Sequence, residues 1–333
     1  MKLRLLLFVF LATFTFAQAQ KKKNVYYLKE NGKEVATREE ADFIRVIEEP
    51  DSGDNRFQLL ELYKNGKRKS QGYISAFEPR LIFEGPVMSF DSSGKRTQVM
   101  NYLNGSLSGV SIFYHRNGKE RRRSEYVEAK PVSDQMIGIN SSLTDFIFNT
   151  NAKIIYDADS NGKVNITNGN GHLIEITKSG DGQLIEEGDY VNGFKHGTWS
   201  GKYSDKSDTF QELYENGDLK SGESTKDGRV YPYTATMEAP SYPGGQQAWN
   251  KYIGSSTKYP AEAYKNGIKG RVFLNFVIDQ KGNLVEIKID KPVDRLLDQE
   301  AIRVLSAAPR WKPAKQRGVP VRVRYNQNIN FNF

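Results

Sequence analysis

The last fifteen residues, VPVRVRYNQNINFNF (319–333), alternate almost without fault. Val319, Val321, Val323, Tyr325, Ile329, Phe331 and Phe333 share one parity, and Arg322, Arg324, Asn326, Asn328, Asn330 and Asn332 share the other. Side chains leave a strand on opposite faces with period two, so the pattern predicts a strand with one apolar and one wet face. Upstream, KGRVFLNFVID (269–279) and LVEIKID (284–290) read as strands joined by a turn at Gln280-Lys281-Gly282-Asn283. YPAEAYKNG (259–267) reads as a short helix stopping near Asn266-Gly267. Leu297, Ala301, Val304, Leu305 and Ala308 recur at helical spacing until Pro309 and Pro313 end the run.

Before residue 233 the pattern is repetitive. EGPVMSFDSSGK (84–95) overlays GVSIFYHRNGK (109–119) with a shift of 24 positions, placing Gly85 on Gly109, Phe90 on Tyr114 and Gly94 on Gly118. ELYKNGKRKSQG (61–72) pairs with ELYENGDLKSG (212–222), and YLNGSLSG (102–109) with YVNGFKHG (190–197). Each unit is an aromatic-bearing run, an Asn-Gly or Ser-Gly turn and a second run. Asn-Gly tolerates positive φ at both central turn positions, so each unit is expected to be a β-hairpin. A lone hairpin is marginal in water, and neighbours must stack to bury their aromatic faces. These units resemble MORN-type repeats, with Tyr190-Val191-Asn192-Gly193 and His196-Gly197-Thr198-Trp199 as the nearest match. The expected organisation is a signal peptide over 1–19, an all-β array of MORN-like hairpins over 20–232 with a poorly matching middle from about 133 to 180, a linker over 233–241 where Pro and Gly crowd together, and a further domain over 242–333.

The signal reading rests on Lys2 and Arg4, an apolar run from Leu5 to Phe16, and Ala17-Gln18-Ala19, which suits cleavage after Ala19. About twelve apolar residues in a helix cover only ~18 Å, short of a hydrocarbon core of ~30 Å. The expected location is therefore the periplasm, with membrane tethering if the signal is retained. With no cysteine in 333 residues, disulfides, thiolate metal sites and cysteine nucleophiles are excluded. The net charge of +8 lies wholly from Thr236 onward, where 9 Lys and 7 Arg face 8 acids. That balance suits either an acidic partner or the solubility of a small domain.

The succession YPGG (242–245), YP (259–260), GIKGRVFLNFVIDQKGNL (267–284), LDQEAIRVLSAAPRWKPA (297–314) and GVPVRV (318–323) closely resembles the TonB C-terminal domain. The resemblance implies an α+β fold, two helices on a three-stranded antiparallel sheet. It also implies that the domain grips a TonB-dependent outer-membrane transporter, or another periplasmic protein, by adding the partner's extended segment to its sheet. The partner-binding residues carried over are Val321, Arg322, Val323, Arg324 and Tyr325, with Tyr259 and Pro260 nearby. An uncovered edge strand displays unpaired N–H and C=O groups that template another strand, consistent with that role. Arg322 and Arg324 then read either as charges keeping identical edges apart or as attractors of an acidic side chain. The sequence carries neither the Pro-rich spacer nor the membrane helix of an energy transducer, so only the binding half of the family's function is expected. Trp311 is expected to plug the space between helix and sheet, and Gly270 and Gly282 to need a missing side chain.

Other chemistry is weakly marked. DADSNGKV (157–164) begins like a calcium loop, with Asp157, Asp159 and Asn161 alternating before Gly162, but the twelfth position is Asn168 where a Glu belongs. It reads more simply as a hairpin turn. His115, His172 and His196 sit in separate units without metal-ligand spacing. SSTK (255–258) fits a loose S-x-x-K pattern that SSGK (92–95) fits equally well inside a turn. No catalytic residue, metal, cofactor or nucleic-acid partner is expected. The alternative to peptide capture is an envelope-associating structural protein whose repeats bind glycan or lipid headgroups, and a homodimer through the edge strand stays open.

Overall fold

A computed structural model describes residues 22–126 and 152–332. The export signal expected over 1–19, part of the poorly matching middle, and Phe333 lie outside the described residues. The chain divides into two compact units, one ending at Gly105 and the other beginning at Ser106.

The first unit is a run of antiparallel strands: β1 (Lys23–Leu28), β2 (Phe43–Glu48), β3 (Phe57–Tyr63), β4 (Arg68–Ala76), β5 (Ile82–Phe83), β6 (Gly85–Phe90) and β7 (Arg96–Leu103). Consecutive strands pair from β1 to β5, β4 also pairs with β6, and β6 with β7. Its core is Ile47, Leu59 and Ile74, with Phe57 and Phe83 against them. Glu61 is buried on the same sheet and is held by Arg45 directly across the ladder, at 2.7 and 2.9 Å, and by the Ser70 hydroxyl at 2.8 Å.

The second unit begins with β8 (Ser106–Leu107), β9 (Gly109–Tyr114), β10 (Glu120–Tyr126), β11 (Ala152–Ala158), β12 (Val164–Thr167), β13 (Asn170–Ser179), β14 (Gly182–Val191), β15 (Phe194–Tyr203), β16 (Thr209–Glu215), β17 (Asp218–Lys226) and β18 (Arg229–Tyr233). From β9 to β18 each strand is antiparallel to the next. The all-β hairpin array expected from the sequence is thus the observed fold. Turn chemistry explains its two hairpin types. Asn168-Gly169, Asn192-Gly193 and Asn216-Gly217 have positive φ at both residues, the geometry that matches strand twist. In Asn65-Gly66 and Asn117-Gly118 only the glycine is left-handed, and the flanking ladder slips by a residue as in a bulged hairpin.

Turns of successive hairpins are also tied together. In the first unit the Tyr63 hydroxyl, Asn65 Nδ2 and Lys67 Nζ donate to the carbonyls of Phe90, Ser92 and Ser93 at 2.8, 2.9 and 2.8 Å. In the second, His115 Nε2, Asn117 Nδ2 and Lys119 Nζ donate to Ala158, Ser160 and Asn161 at 2.8, 2.7 and 2.9 Å. The loop with the calcium-like spacing is engaged this way. The Asp159 carboxylate accepts the N–H groups of Asn161, Gly162 and Lys163, Asp157 binds Arg122 and Asn165, and the Lys119 ammonium sits on the Asn161 carbonyl. Among the described residues no cluster of three or more metal-ligating side chains occurs.

On the inner face of this array a large ring lies over a glycine of the preceding strand. Trp199 covers Gly188, Phe210 covers Gly201 and Tyr233 covers Gly222, so closely that a Cβ at any of these glycines would overlap the ring.

The chain then builds the α+β part of the second unit: β19 (Met237–Glu238), α1 (Gly245–Ser256), α2 (Ala261–Lys265), β20 (Gly270–Ile278), β21 (Leu284–Lys291), α3 (Arg295–Ser306), β22 (Ala314–Gln316), β23 (Val319–Val321) and β24 (Val323–Phe331). Helices pack on a three-stranded antiparallel sheet ordered β21-β20-β24, as expected. β20 turns Val272, Leu274, Phe276 and Ile278 inward onto Leu297, Ala301, Val304 and Leu305 of α3, with Ile329 and Phe331 of β24 beside them. Burying each such side chain contributes at most ~1.5–3 kcal/mol. The Asp294 carboxylate caps α3 by accepting the Leu296 N–H at 2.8 Å.

Three local expectations need adjustment. α1 has no counterpart in the sequence reading, because Trp249 is its only buried residue and a left-handed Gly244 replaces a capping side chain. The terminal strand is two strands: β23 pairs with β22 in a small sheet with β19, and the chain changes sheets at Arg322 so that Val323 pairs with Ile278. Pro313 and Pro320, lacking N–H groups, limit how far the small ladder can run. Within the stretch expected as a linker, Met237–Glu238 pairs with Lys315 and Gln316.

Candidate functional site

Two strands end the three-stranded sheet, and they differ. β21 meets β20 through two register slips, and Glu286 sits at a left-handed φ of 54°. Bulges and charges of that kind blunt an edge. β24 is nine residues long and keeps unbroken register with β20, from Val323 opposite Ile278 to Phe331 opposite Gly270. Its outer rim pairs with no strand among the described residues.

A groove of about 380 Å³ accompanies this rim. Asn250, Ile253, Gly254 and Thr257 form one wall, and the five consecutive residues Gln327 to Phe331 form the other. Adjacent strand residues point to opposite faces, so five in a row can line one groove only where it follows the strand's edge. No charged residue lines it. The side chain at Gln327 is fixed from beneath, its Oε1 accepting the Trp249 indole N–H at 2.8 Å.

The residues expected at the site fall into two groups. Tyr259 lines the groove, with its ring edge-on to Phe331 at 5.7 Å and its hydroxyl donating to the Ile268 carbonyl at 2.6 Å. Pro260 opens α2 from the position before Ala261. Val321 lies on β23, and Arg322 is ion-paired with Glu286 of β21. Val323, Arg324 and Tyr325 occupy the first third of β24, away from the groove-lining residues. Arg324 is exposed, whereas Tyr325 faces inward against Phe276 and Trp311, and burial pushes its phenol above the ordinary range. Trp311 itself is 5 % exposed and packs on Trp249 at 4.9 Å and Tyr242 at 5.8 Å, so its plugging role is as expected. Gly282 is left-handed at φ 83°, with its carbonyl accepting the Trp311 N–H at 2.8 Å, and a Cβ there would overlap the Trp311 carbonyl. Gly270 lies against Val293.

The groove wall on α1 was missed by sequence reasoning. Its signal was present in the pairing of Trp249 with Ile253 at helical spacing, but a single such pair after YPGG is too short a period to assign a helix.

The family model described as Gram-negative bacterial TonB protein C-terminal matches residues 255–333. Among solved structures, the NMR structure of the Helicobacter pylori TonB C-terminal domain is similar at 25% identity, over 27% of this chain and 86% of that one, with a TM-score of 0.21. No curated protein sequence matches the chain. The end of this chain, residues 255–333, therefore matches the TonB C-terminal family and follows a long array of β-hairpins.

Proposed function

We propose that this protein captures an extended peptide by strand addition to β24, in association with TonB-dependent transport in the cell envelope. The observation that carries the reading is the long, regular rim of β24 with a groove beside it, set against the irregular rim of β21. Backbone hydrogen bonds to the rim supply affinity, and alternate side chains of the guest enter the groove and supply selectivity. The groove's amide and hydroxyl groups, with Ile253, Ile329 and Phe331 between them, suit a segment of neutral polar and apolar residues. The partner is the periplasmic N-terminal segment of an outer-membrane transporter. The family whose model matches belongs to transport, not to enzymes, and no described helix is long and apolar enough to cross a membrane. Export through the segment 1–19 completes the reading.

The test uses the full chain, isotope-labelled, with peptides of about seven residues from transporter N-terminal segments. Binding should move the amide signals of Val323–Phe331 together with those of Ile253 and Thr257. Gly254 faces open space, so Gly254→Trp fills the groove without entering the core. It should weaken binding at least about tenfold, or ~1.4 kcal/mol, at unchanged stability. Absence of binding at millimolar peptide would remove the proposal, as would binding indifferent to Gly254→Trp.

A further inference from the structure

The geometry points to a second interaction surface within the unit: the inner face of β14–β18 is a docking platform for the β22–β23 hairpin, keyed by a socket that takes one guanidinium. The C-terminal domain is then a fixed body on strands β14–β18 of the same unit, not a module swinging on a linker. This does not depend on what β24 binds.

Arg317 is the tip of that hairpin. It sits at a left-handed φ of 48° beside Gly318, although arginine is not a residue that turns of this kind favour. Its guanidinium lies 3.6 Å from the centre of the Phe210 ring. Nε donates to Glu212 and Nη2 to Glu186, each at 2.8 Å, and the side chain is 12% exposed. Main-chain bonds close the contact. The Ser224 hydroxyl donates to the Arg317 carbonyl at 2.7 Å, and the Arg317 N–H donates to Thr236 at 2.7 Å.

The hairpin array explains why the socket needs this guest. Glu212 and Glu61 hold the same place in the repeated ELYENG and ELYKNG units, and both are buried. Glu61 finds its guanidinium on the neighbouring strand, from Arg45 directly opposite. A second buried carboxylate, Asp157 on β11, is likewise answered from the neighbouring strand, by Arg122 of β10, which also reaches Glu175. The position opposite Glu212 on β15 is instead Trp199. Among the described residues Glu212 receives, apart from Arg317 of the other domain, only the hydroxyls of Tyr233 and Tyr214, at 2.7 and 2.9 Å. A buried carboxylate without a cation is costly, so the array is complete only when the hairpin is docked. Burial opposes the charge on Arg317, yet Glu212 and Glu186 outweigh it and hold the guanidinium firmly protonated.

The chain lacks cysteine, so spin labels can be placed cleanly on the full chain through Lys178→Cys on β13 and Lys288→Cys on β21, both exposed positions. The parent should give one narrow distance distribution. Arg317→Asn removes the guanidinium while giving the turn a residue better suited to positive φ, so a role confined to the turn predicts no loss of order. Docking predicts a distribution several times broader, with protease cleavage appearing within 233–241. The double variant Arg317→Asn with Glu212→Gln removes the buried charge at 212 and leaves Glu186 beside Lys195 at 3.5 Å, and the new amide can accept one tyrosine hydroxyl and donate to the other. It should keep the array folded by near-ultraviolet circular dichroism and show the same broadening. Narrow distributions in both variants would overturn the inference. Peptide capture is scored in a separate experiment, so either reading can fail alone.

Discussion

An added Cβ at Gly201 would fall within the Phe210 ring, whereas at Gly254 it would meet nothing within 4 Å. The same substitution should therefore act oppositely at the two sites. Gly201→Ala forces the ring off its seat and should cost about 1–3 kcal/mol in denaturant unfolding. Gly254→Ala sits inside a helix and should be neutral or stabilising by up to about 1 kcal/mol. His172 offers a second residue-scale check. On the exposed face of β13, Asp189 hydrogen-bonds its Nδ1 at 2.7 Å and Glu187 its Nε2 at 3.0 Å, and both bonds raise its pKa. A raised folded pKa gives stability that is complete below the ordinary imidazole value of about 6.5 and is lost as pH rises through the folded value. The site is half exposed, so the effect on unfolding should be small. The direct measurement is the imidazole titration by NMR, with a midpoint above that of an unstructured histidine and a return toward it in Asp189→Asn. A midpoint at or below the unstructured value would contradict the hydrogen bonds.

Among elements, β24 carries the sharpest expectation. An antiparallel edge strand alternates residues whose N–H faces its one neighbour with residues whose N–H faces outward. Hydrogen exchange should accordingly show protection at about every second amide of β24, against continuous protection in β20. A captured strand should slow the fast set at least about tenfold while leaving the other set unchanged. Uniform protection of β24 in the free protein would mean that its rim is already paired. How much of this was legible varies by element for identifiable reasons. β20, β21 and α3 follow from a period that each carries within its own residues. The hairpins follow from Asn-Gly chemistry local to four residues. The break at Arg322 escapes notice because the alternation runs through it undisturbed, and only the partners on either side, Ala314 for Val321 and Ile278 for Val323, separate β23 from β24.

Across the whole molecule the charge is uneven, with the +8 confined to the residues after Ala235. Arg324 is exposed on β24, while Arg322 is already engaged by Glu286. A guest carrying an acidic residue near Arg324 should bind more weakly as salt rises. Arg324→Gln should cost about two- to fivefold in affinity, the scale of one exposed ion pair of ~0.2–1 kcal/mol, and should abolish most of the salt dependence. An unchanged salt slope in that variant would place the attracting charge elsewhere. The two domains of the second unit meet through residues 105 and 131 positions apart, Glu212 and Glu186 with Arg317. No local pattern announces such a pairing. The repeated ELYENG and ELYKNG units placed both glutamates in hairpins, but a single chain of letters does not say that one finds its arginine on the next strand and the other finds it in a different domain. Periodicity and turn chemistry determined where strands, hairpins and the final helix form, because both act over a few residues. Which rim stays open, which helix walls the groove and which carboxylate receives Arg317 depended on the folded chain, because burial and charge compensation are properties of neighbours in space.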